Sequence, residues 1–272
     1  MTANPLRLMC VLAHPDDESL GTGGVLALAA AQGIETYLLT ATRGVRGRIG
    51  EERPGPEIAG PIREGELRCA ARTLGVREIE LLGYHDGDLD RADPRQAISR
   101  IAAGIRRRRP HVVVTFPPDG IYGHPDHVAI SQFTGAAIVA AADPGFVAAA
   151  GVELPATPWA VAKLYWFHLT PAGWESYRTA FKDLTARVDG VERRVTPWPE
   201  WAFTTFVDAR SCWEIVWRAI RCHHSQIASY AGLAGLPPER HEKLWGSPAL
   251  YRVFSLVNGG RARETDLFDG LR

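Results

Sequence analysis

The feature that most restricts this chain is an alternation running from residue 6 to residue 168. Runs of apolar and β-branched residues at 6–13, 35–42, 79–82, 112–116 and 161–168 are separated by segments whose apolar residues recur at helical spacing. Residues 20–32, 63–74, 96–108 and 124–142 are those helical segments, and Gly33 and Gly75 stand where two of them end. Strands alternating with helices join in parallel through right-handed crossovers. The fourth run, VVVTF, is apolar almost throughout, as a strand covered on both faces must be. The expected fold is therefore α/β: a Rossmann-like, mostly parallel sheet flanked by helices.

Beyond about residue 170 the pattern changes. Tryptophans and prolines cluster at 196–201, residues 213–225 read as helix, and short pieces follow. The expected organisation is a catalytic core over residues 1–170 and a smaller C-terminal α+β cap over 171–272 that completes the same domain. A length of 272 residues suits one large or two small domains, and 46% hydrophobic with 23% charged residues is enough to bury a core. Thirty-one basic residues balance 31 acidic ones, so no overall basic field exists to gather nucleic acid or anionic lipid. Cys10, Cys69, Cys212 and Cys222 show neither zinc-ribbon nor dithiol spacing. With no signal-like N-terminus, a reducing cytoplasmic setting is expected. No run approaches the ~20 apolar residues that span a bilayer, and the longest candidate is broken by Asp143, Pro144 and Gly145.

Ligands of open parallel α/β sheets bind beyond the carboxyl ends of the strands. Two polar clusters fall there: His14-Pro15-Asp16-Asp17-Glu18 after the first strand, and Tyr122-Gly123-His124-Pro125-Asp126-His127 after the fourth. Two imidazoles and one carboxylate form a known catalytic zinc set that leaves a position for water. His14, Asp16, Asp17, Glu18, His124, Asp126 and His127 are all candidates for the roles of ligand, base and oxyanion donor, and counting does not choose among them. One such cluster alone is also what helix capping by Asp16, Asp17 and Ser19 produces. The second cluster, at another strand end, favours a metal site.

These motifs resemble the LmbE-like, or PIG-L, superfamily of zinc-dependent N-deacetylases, which includes enzymes of mycothiol and bacillithiol biosynthesis. The resemblance extends through Gly21-Thr22-Gly23-Gly24, Arg63-Glu64-Gly65-Glu66-Leu67, residues 82–87, His223-His224-Ser225-Gln226 and residues 264–268. It implies zinc on His14, Asp17 and His127, with iron(II) able to accept the same set. It implies Asp16 as the general base that deprotonates the metal-bound water, whose pKa zinc lowers to about 7. His124 becomes the protonated imidazole that stabilises the tetrahedral intermediate or protonates the leaving amine, and Tyr122 an oxyanion donor. Asp126 orients a histidine from behind, and Arg63 and Asp86 contact the substrate. That substrate is expected to be a small N-acetylated amino sugar or its glycoside. The alternatives are a larger N-acyl conjugate or a non-catalytic carbohydrate- or nucleotide-binding role. Self-association into a homo-oligomer is compatible with the sequence, and neither nucleic acid nor membrane is expected as a partner.

One departure stands out. Where relatives carry acidic residues after the second strand, this chain has Arg43, Arg46 and Arg48, which suggests an anionic group on the substrate. Other features have plainer readings. Arg106, Arg107, Arg108 and Arg109 form a solvated helix end that suits the helix dipole. Adjacent His223 and His224 cannot aim at one ion from one helix, so one of them is expected to line the cleft. Trp198, Trp201, Trp213 and Trp217 are expected mainly in the core. The glycines at 21–24 lack the GxGxxG spacing of a dinucleotide loop.

Overall fold

A computed structural model describes residues 5–50, 52–180, 184–226, 231–260 and 262–272. The elements in order are β1 (Arg7–Leu12), α1 (Asp17–Leu20), α2 (Gly23–Ala31), β2 (Glu35–Thr42), α3 (Pro56–Thr73), β3 (Glu78–Tyr84), α4 (Pro94–Arg108), β4 (Val112–Thr115), α5 (Gly120–Gly123) and α6 (Pro125–Ala142). After these come β5 (Lys163–His168), α7 (Pro171–Ala180), β6 (Thr185–Val188), β7 (Val191–Arg194), β8 (Thr205–Phe206), α8 (Trp213–Cys222), α9 (Ala231–Ala234), α10 (Pro238–Trp245) and β9 (Ala249–Ser255).

The main sheet has the order β3-β2-β1-β4-β5-β9-β8, and its first five strands are parallel. This is the mostly parallel α/β sheet that the alternation predicts. β1 is buried from Leu8 onward and β4 throughout, because helices cover both faces. The chain leaves β1 toward β2 and β3, then returns to place β4 on the other side of β1. The crevice at that reversal is where open α/β sheets bind ligands, and both polar clusters open onto it.

Residues 171–272 also supply β9 and β8, which continue the sheet in the antiparallel sense beyond β5. A buried cluster ties this edge to the chain's end. Glu264 accepts from Lys163 Nζ and Tyr165 Oη at 2.7 Å each and from Thr205 Oγ1 at 2.9 Å, and it pairs with Arg252 at 2.7 Å. The hairpin β6–β7 lies against α5, at the rim of the crevice.

Two local readings change. α3 begins at Pro56, seven residues before the helical segment expected from residue 63. Pro56 sits at the helix start, where a missing N–H costs nothing, and Pro61 forfeits one early backbone bond. Arg106 and Arg108 are buried rather than solvated. The Arg106 guanidinium donates to the carbonyls of Ala140, Ala141 and Asp143, capping the end of α6, and Arg108 pairs with Glu78 and Glu80.

Cys69 and Cys222, separated by 153 residues, form a disulfide joining α3 to α8. Spacing alone gave no sign of it, because only the packing of the two helices brings the sulfurs together. Among the described residues no helix is long and apolar enough to cross a membrane.

Candidate active site

β1 ends at Leu12, and the chain turns sharply through the His-Pro-Asp-Asp cluster into α1. Asp17 secures the turn: its Oδ2 accepts the backbone N–H groups of Ala13 at 3.2 Å and His14 at 2.7 Å. From the other strand end, His124 caps α6, its Nδ1 accepting the N–H of Asp126 at 3.2 Å. His127 follows on the first turn of α6, stacked at 3.9 Å on Phe116.

The structure brings His14, Asp17 and His127 together. His14 Nδ1 and His127 Nε2 are 3.3 Å apart, Asp17 Oδ2 is 3.6 Å from His14 Nδ1, and Asp17 Oδ1 is 3.7 Å from His127 Nε2. The opposite ring nitrogens face acceptors: His14 Nε2 faces Asp126 at 3.0 Å and Asp86 at 3.2 Å, and His127 Nδ1 faces the carbonyl of Gly120 at 3.3 Å. Those contacts claim one proton on each ring, so two lone pairs and a carboxylate converge. Ligands about 2.0–2.1 Å from a tetrahedral zinc stand roughly 3.3 Å from one another, and the set fits a divalent cation. A second grouping, His14 with His124 and Asp126, is already satisfied by hydrogen bonds, since Asp126 also accepts from Gly87 N at 2.7 Å and Leu89 N at 3.0 Å.

The electrostatics favour positive charge at this point. Burial works against a charged His14, yet the hydrogen-bonded carboxylates of Asp126 and Asp86 raise its pKa to about 10. Both carboxylates are themselves held below the usual range despite burial, chiefly by His14. Burial pushes Asp17 up to about 7 against the pull of His14. Burial, then His14, lower the pKa of His124 to about 4. Burial, then Asp17 and Asp16, keep the Tyr122 hydroxyl protonated.

Tyr122 is aimed by a strained backbone. Ile121 before it has φ 68° and ψ −54°, which a β-branched residue seldom adopts. Asp119 holds the turn by accepting Ile121 N at 2.9 Å, and is in turn anchored by Trp198 Nε1 at 2.8 Å. The Tyr122 ring stands 5.3 Å from that of His127 and 5.9 Å from that of His124.

Arg63 and Asp86 are at the site, and both also make contacts within the protein. Arg63, 3% exposed, donates to the carbonyl of Pro15 and to Asp16 Oδ2 at 3.1 Å. Asp86 takes His14 on one oxygen and the backbone N–H of Arg46, at 2.7 Å, on the other. The arginine loop is likewise occupied, with Arg43 paired to Glu64 and Arg46 to Asp88. The charges of Arg43 and Arg46 are thus balanced by acids from elsewhere in the fold, a pairing that is invisible in a charge count.

Two residues take places that the sequence did not assign to them. Glu18 and His223, both fully buried, bond at 2.7 Å behind Asp16. Neither His223 nor His224 lines the cleft: the first is on Glu18, and the second is largely exposed near Glu66. Beside Asp16, Asp17, Tyr122 and His127 opens a cavity of about 250 Å³ walled by Leu20, Phe116, Phe167, Leu244 and Trp245. Gly21 permits that wall, since a Cβ there would lie 2.6 Å from the Phe167 ring. Of the tryptophans, Trp201 is exposed, while Trp213 and Trp217 pack on His241.

The PIG-L family model, described as GlcNAc-PI de-N-acetylase, matches residues 9–138. The 1D-myo-inositol 2-acetamido-2-deoxy-alpha-D-glucopyranoside deacetylase of Streptomyces avermitilis is 34% identical, with 97% of each chain covered. The protein of the same name from Rhodococcus jostii is 37% identical, covering 97% of this chain and 98% of its own. A crystal structure of a conserved protein from Thermus thermophilus superposes with a TM-score of 0.66 at 26% identity, covering 95% of this chain and 99% of that one. With sequence likeness across nearly the whole length and the same fold, the chain belongs to the PIG-L family and is a hydrolytic N-deacetylase.

Proposed function

We propose that this enzyme removes the acetyl group from a small N-acetylated amino sugar or its glycoside, of the N-acetylglucosaminyl type named for its relatives. The observation that carries the reading is the convergence of His14 Nδ1, His127 Nε2 and the Asp17 carboxylate within 3.3–3.7 Å, with Asp16 adjacent in the cavity wall. His14, Asp17 and His127 would hold the zinc, which would supply a water acidic enough to attack at neutral pH and a Lewis acid for the amide carbonyl. Iron(II) accepts the same donors.

The protein's own groups complete the reaction. Asp16 takes the proton of the attacking water and returns it to the amine as the C–N bond breaks. Tyr122, protonated by virtue of its burial, donates its hydroxyl to the developing oxyanion. His124, whose Nδ1 accepts from Asp126 N, has its neutral-form proton on Nε2 and offers a second donor. Asp86 and Asp126 hold the His14 ring by its other nitrogen, the usual support of a ligating histidine. Acetate and a free amine leave.

A second reading, hydrolysis of a larger N-acyl group, is favoured by the cavity. Its wall of Leu20, Phe116, Phe167, Leu244 and Trp245 suits an apolar chain longer than acetyl. Zinc-reconstituted protein should be assayed on glucosamines N-acylated with chains from acetyl to octanoyl. Fastest release of acetate supports the first reading, and a rate that rises with chain length supports the second. Failure to hydrolyse any member overturns both.

A further inference from the structure

Asp16 has φ 96°, a left-handed conformation that a residue with a Cβ holds only when its surroundings enforce it. Two chains of polar contacts surround it, the first made of hydrogen bonds and the second including one ion-pair step. In the first, the backbone N–H of Asp16 donates to Glu18 Oε2 at 2.9 Å, while Glu18 Oε1 bonds His223 Nε2 at 2.7 Å and accepts from Ser19 Oγ at 2.6 Å. In the second, Asp16 Oδ2 accepts from Arg63 at 3.1 Å, and Arg63 Nε faces Glu66 at 3.8 Å. Glu66 in turn accepts from the backbone N–H of Ser225 at 2.6 Å and from its hydroxyl at 2.7 Å.

Both chains end in one short segment after α8. His223 terminates the first, Ser225 terminates the second, and Gln226 donates to the carbonyl of Arg48. Cys222, just before it, is bonded to Cys69. Arg63, Glu66 and Cys69 lie three residues apart on α3 and so share a face. Glu18, Glu66, His223 and Ser225 are buried behind Asp16 and are not among the residues lining the cavity.

We propose that residues 223–226 are a positioning element for Asp16, acting on its backbone through Glu18 and on its carboxylate through Glu66 and Arg63. The inference rests on the role of Asp16 as general base given above. A base must stand within hydrogen-bond reach of the water it deprotonates, and misplacement by about 1 Å can cost about 10²-fold in rate. A distant part of the chain thereby decides where the carboxylate stands, without touching the substrate.

The test uses full-length zinc-reconstituted protein and the methyl glycoside of N-acetylglucosamine. Glu66→Gln, Ser225→Ala and His223→Ala should each lower kcat by about 10–100-fold, with KM and bound zinc within about two-fold of wild type. His223→Gln, which keeps a side-chain amide for Glu18, should recover part of the loss, and the exposed control Glu175→Ala should leave kcat unchanged. In an Asp16→Asn background, adding Glu66→Gln should change the rate by less than about two-fold, because its effect passes through Asp16. Ser225→Ala keeps the backbone bond to Glu66, so it remains informative if Glu66→Gln does not fold. Crystal structures of the variants should show the Asp16 carboxylate displaced from Arg63, or its φ out of the left-handed region. Wild-type kcat in all three variants, or an undisplaced Asp16, overturns the proposal. If the wild-type enzyme leaves the glycoside intact, the deacetylase reading of Asp16 fails, and the crystal structures still decide whether these residues hold it.

Discussion

His14 Nδ1 and His127 Nε2 lie 3.3 Å apart with their other ring nitrogens committed to acceptors, so two lone pairs from opposite sides of the sheet's reversal point face one another. Such an arrangement is unfavourable unless a proton or a metal cation stands between them. The parallel register of β1 and β4 brings those two rings together at neighbouring strand ends.

The carboxylates behind His14 separate two roles. If Asp86 and Asp126 act by holding the imidazole, Asp86→Asn and Asp126→Asn should each weaken zinc affinity by about 10–100-fold. KM for the sugar should change less. Zinc titration against a competing chelator measures the first quantity and steady-state kinetics the second.

Tyr122→Phe removes a single hydroxyl from the oxyanion side. The expected loss in kcat is about 10²-fold, close to 3 kcal/mol, with zinc content unchanged. A variant as fast as wild type would remove Tyr122 from the reaction.

The Cys69–Cys222 bond closes a long loop, 153 residues in sequence separation. Reduction, or Cys222→Ser, should lower stability by about 2–4 kcal/mol in denaturant titrations, as a lower midpoint at similar slope. Equal midpoints for oxidised and reduced protein would show that the bond adds nothing.

Glu264 links stability to pH. Against the cost of burial, Lys163, Asn258 and Tyr165 lower its pKa from 4.5 to about 2. A depressed carboxylate stabilises the fold above its unfolded value and loses that contribution as pH falls through the folded value. Stability should therefore drop between pH 4.5 and about 2, and Glu264→Gln should flatten that limb. Glu264→Ala should cost about 3–5 kcal/mol at neutral pH, because it strands the buried Lys163 ammonium. Thermal melts from neutral pH down through the acid range measure both.

The legible parts of this protein were local in sequence. β2 ran over Glu35–Thr42 as its β-branched pattern indicated, and the two His-Pro-Asp clusters announced themselves because each is contiguous and each follows an apolar strand. β9 was not legible, since its partners β5 and β8 are distant in sequence and its seven residues carry no distinctive signal of their own. The same limit hid the places of Glu18, Glu66, His223 and Ser225. Their meaning lies in bonds spanning 205 and 159 residues, and no spacing rule reaches that far. The pairing of Arg46 with Asp88 was hidden for a related reason: a charge on a loop looks free until its partner is placed beside it.

The most direct test is acetate release from the methyl glycoside of N-acetylglucosamine as zinc is titrated into chelated protein. Turnover should begin near zero, rise in proportion to zinc and level off at about one ion per chain, and it should be absent in His127→Ala at the same zinc. Full turnover in the chelated protein, or in His127→Ala, would contradict the metal site on which the rest of the mechanism depends.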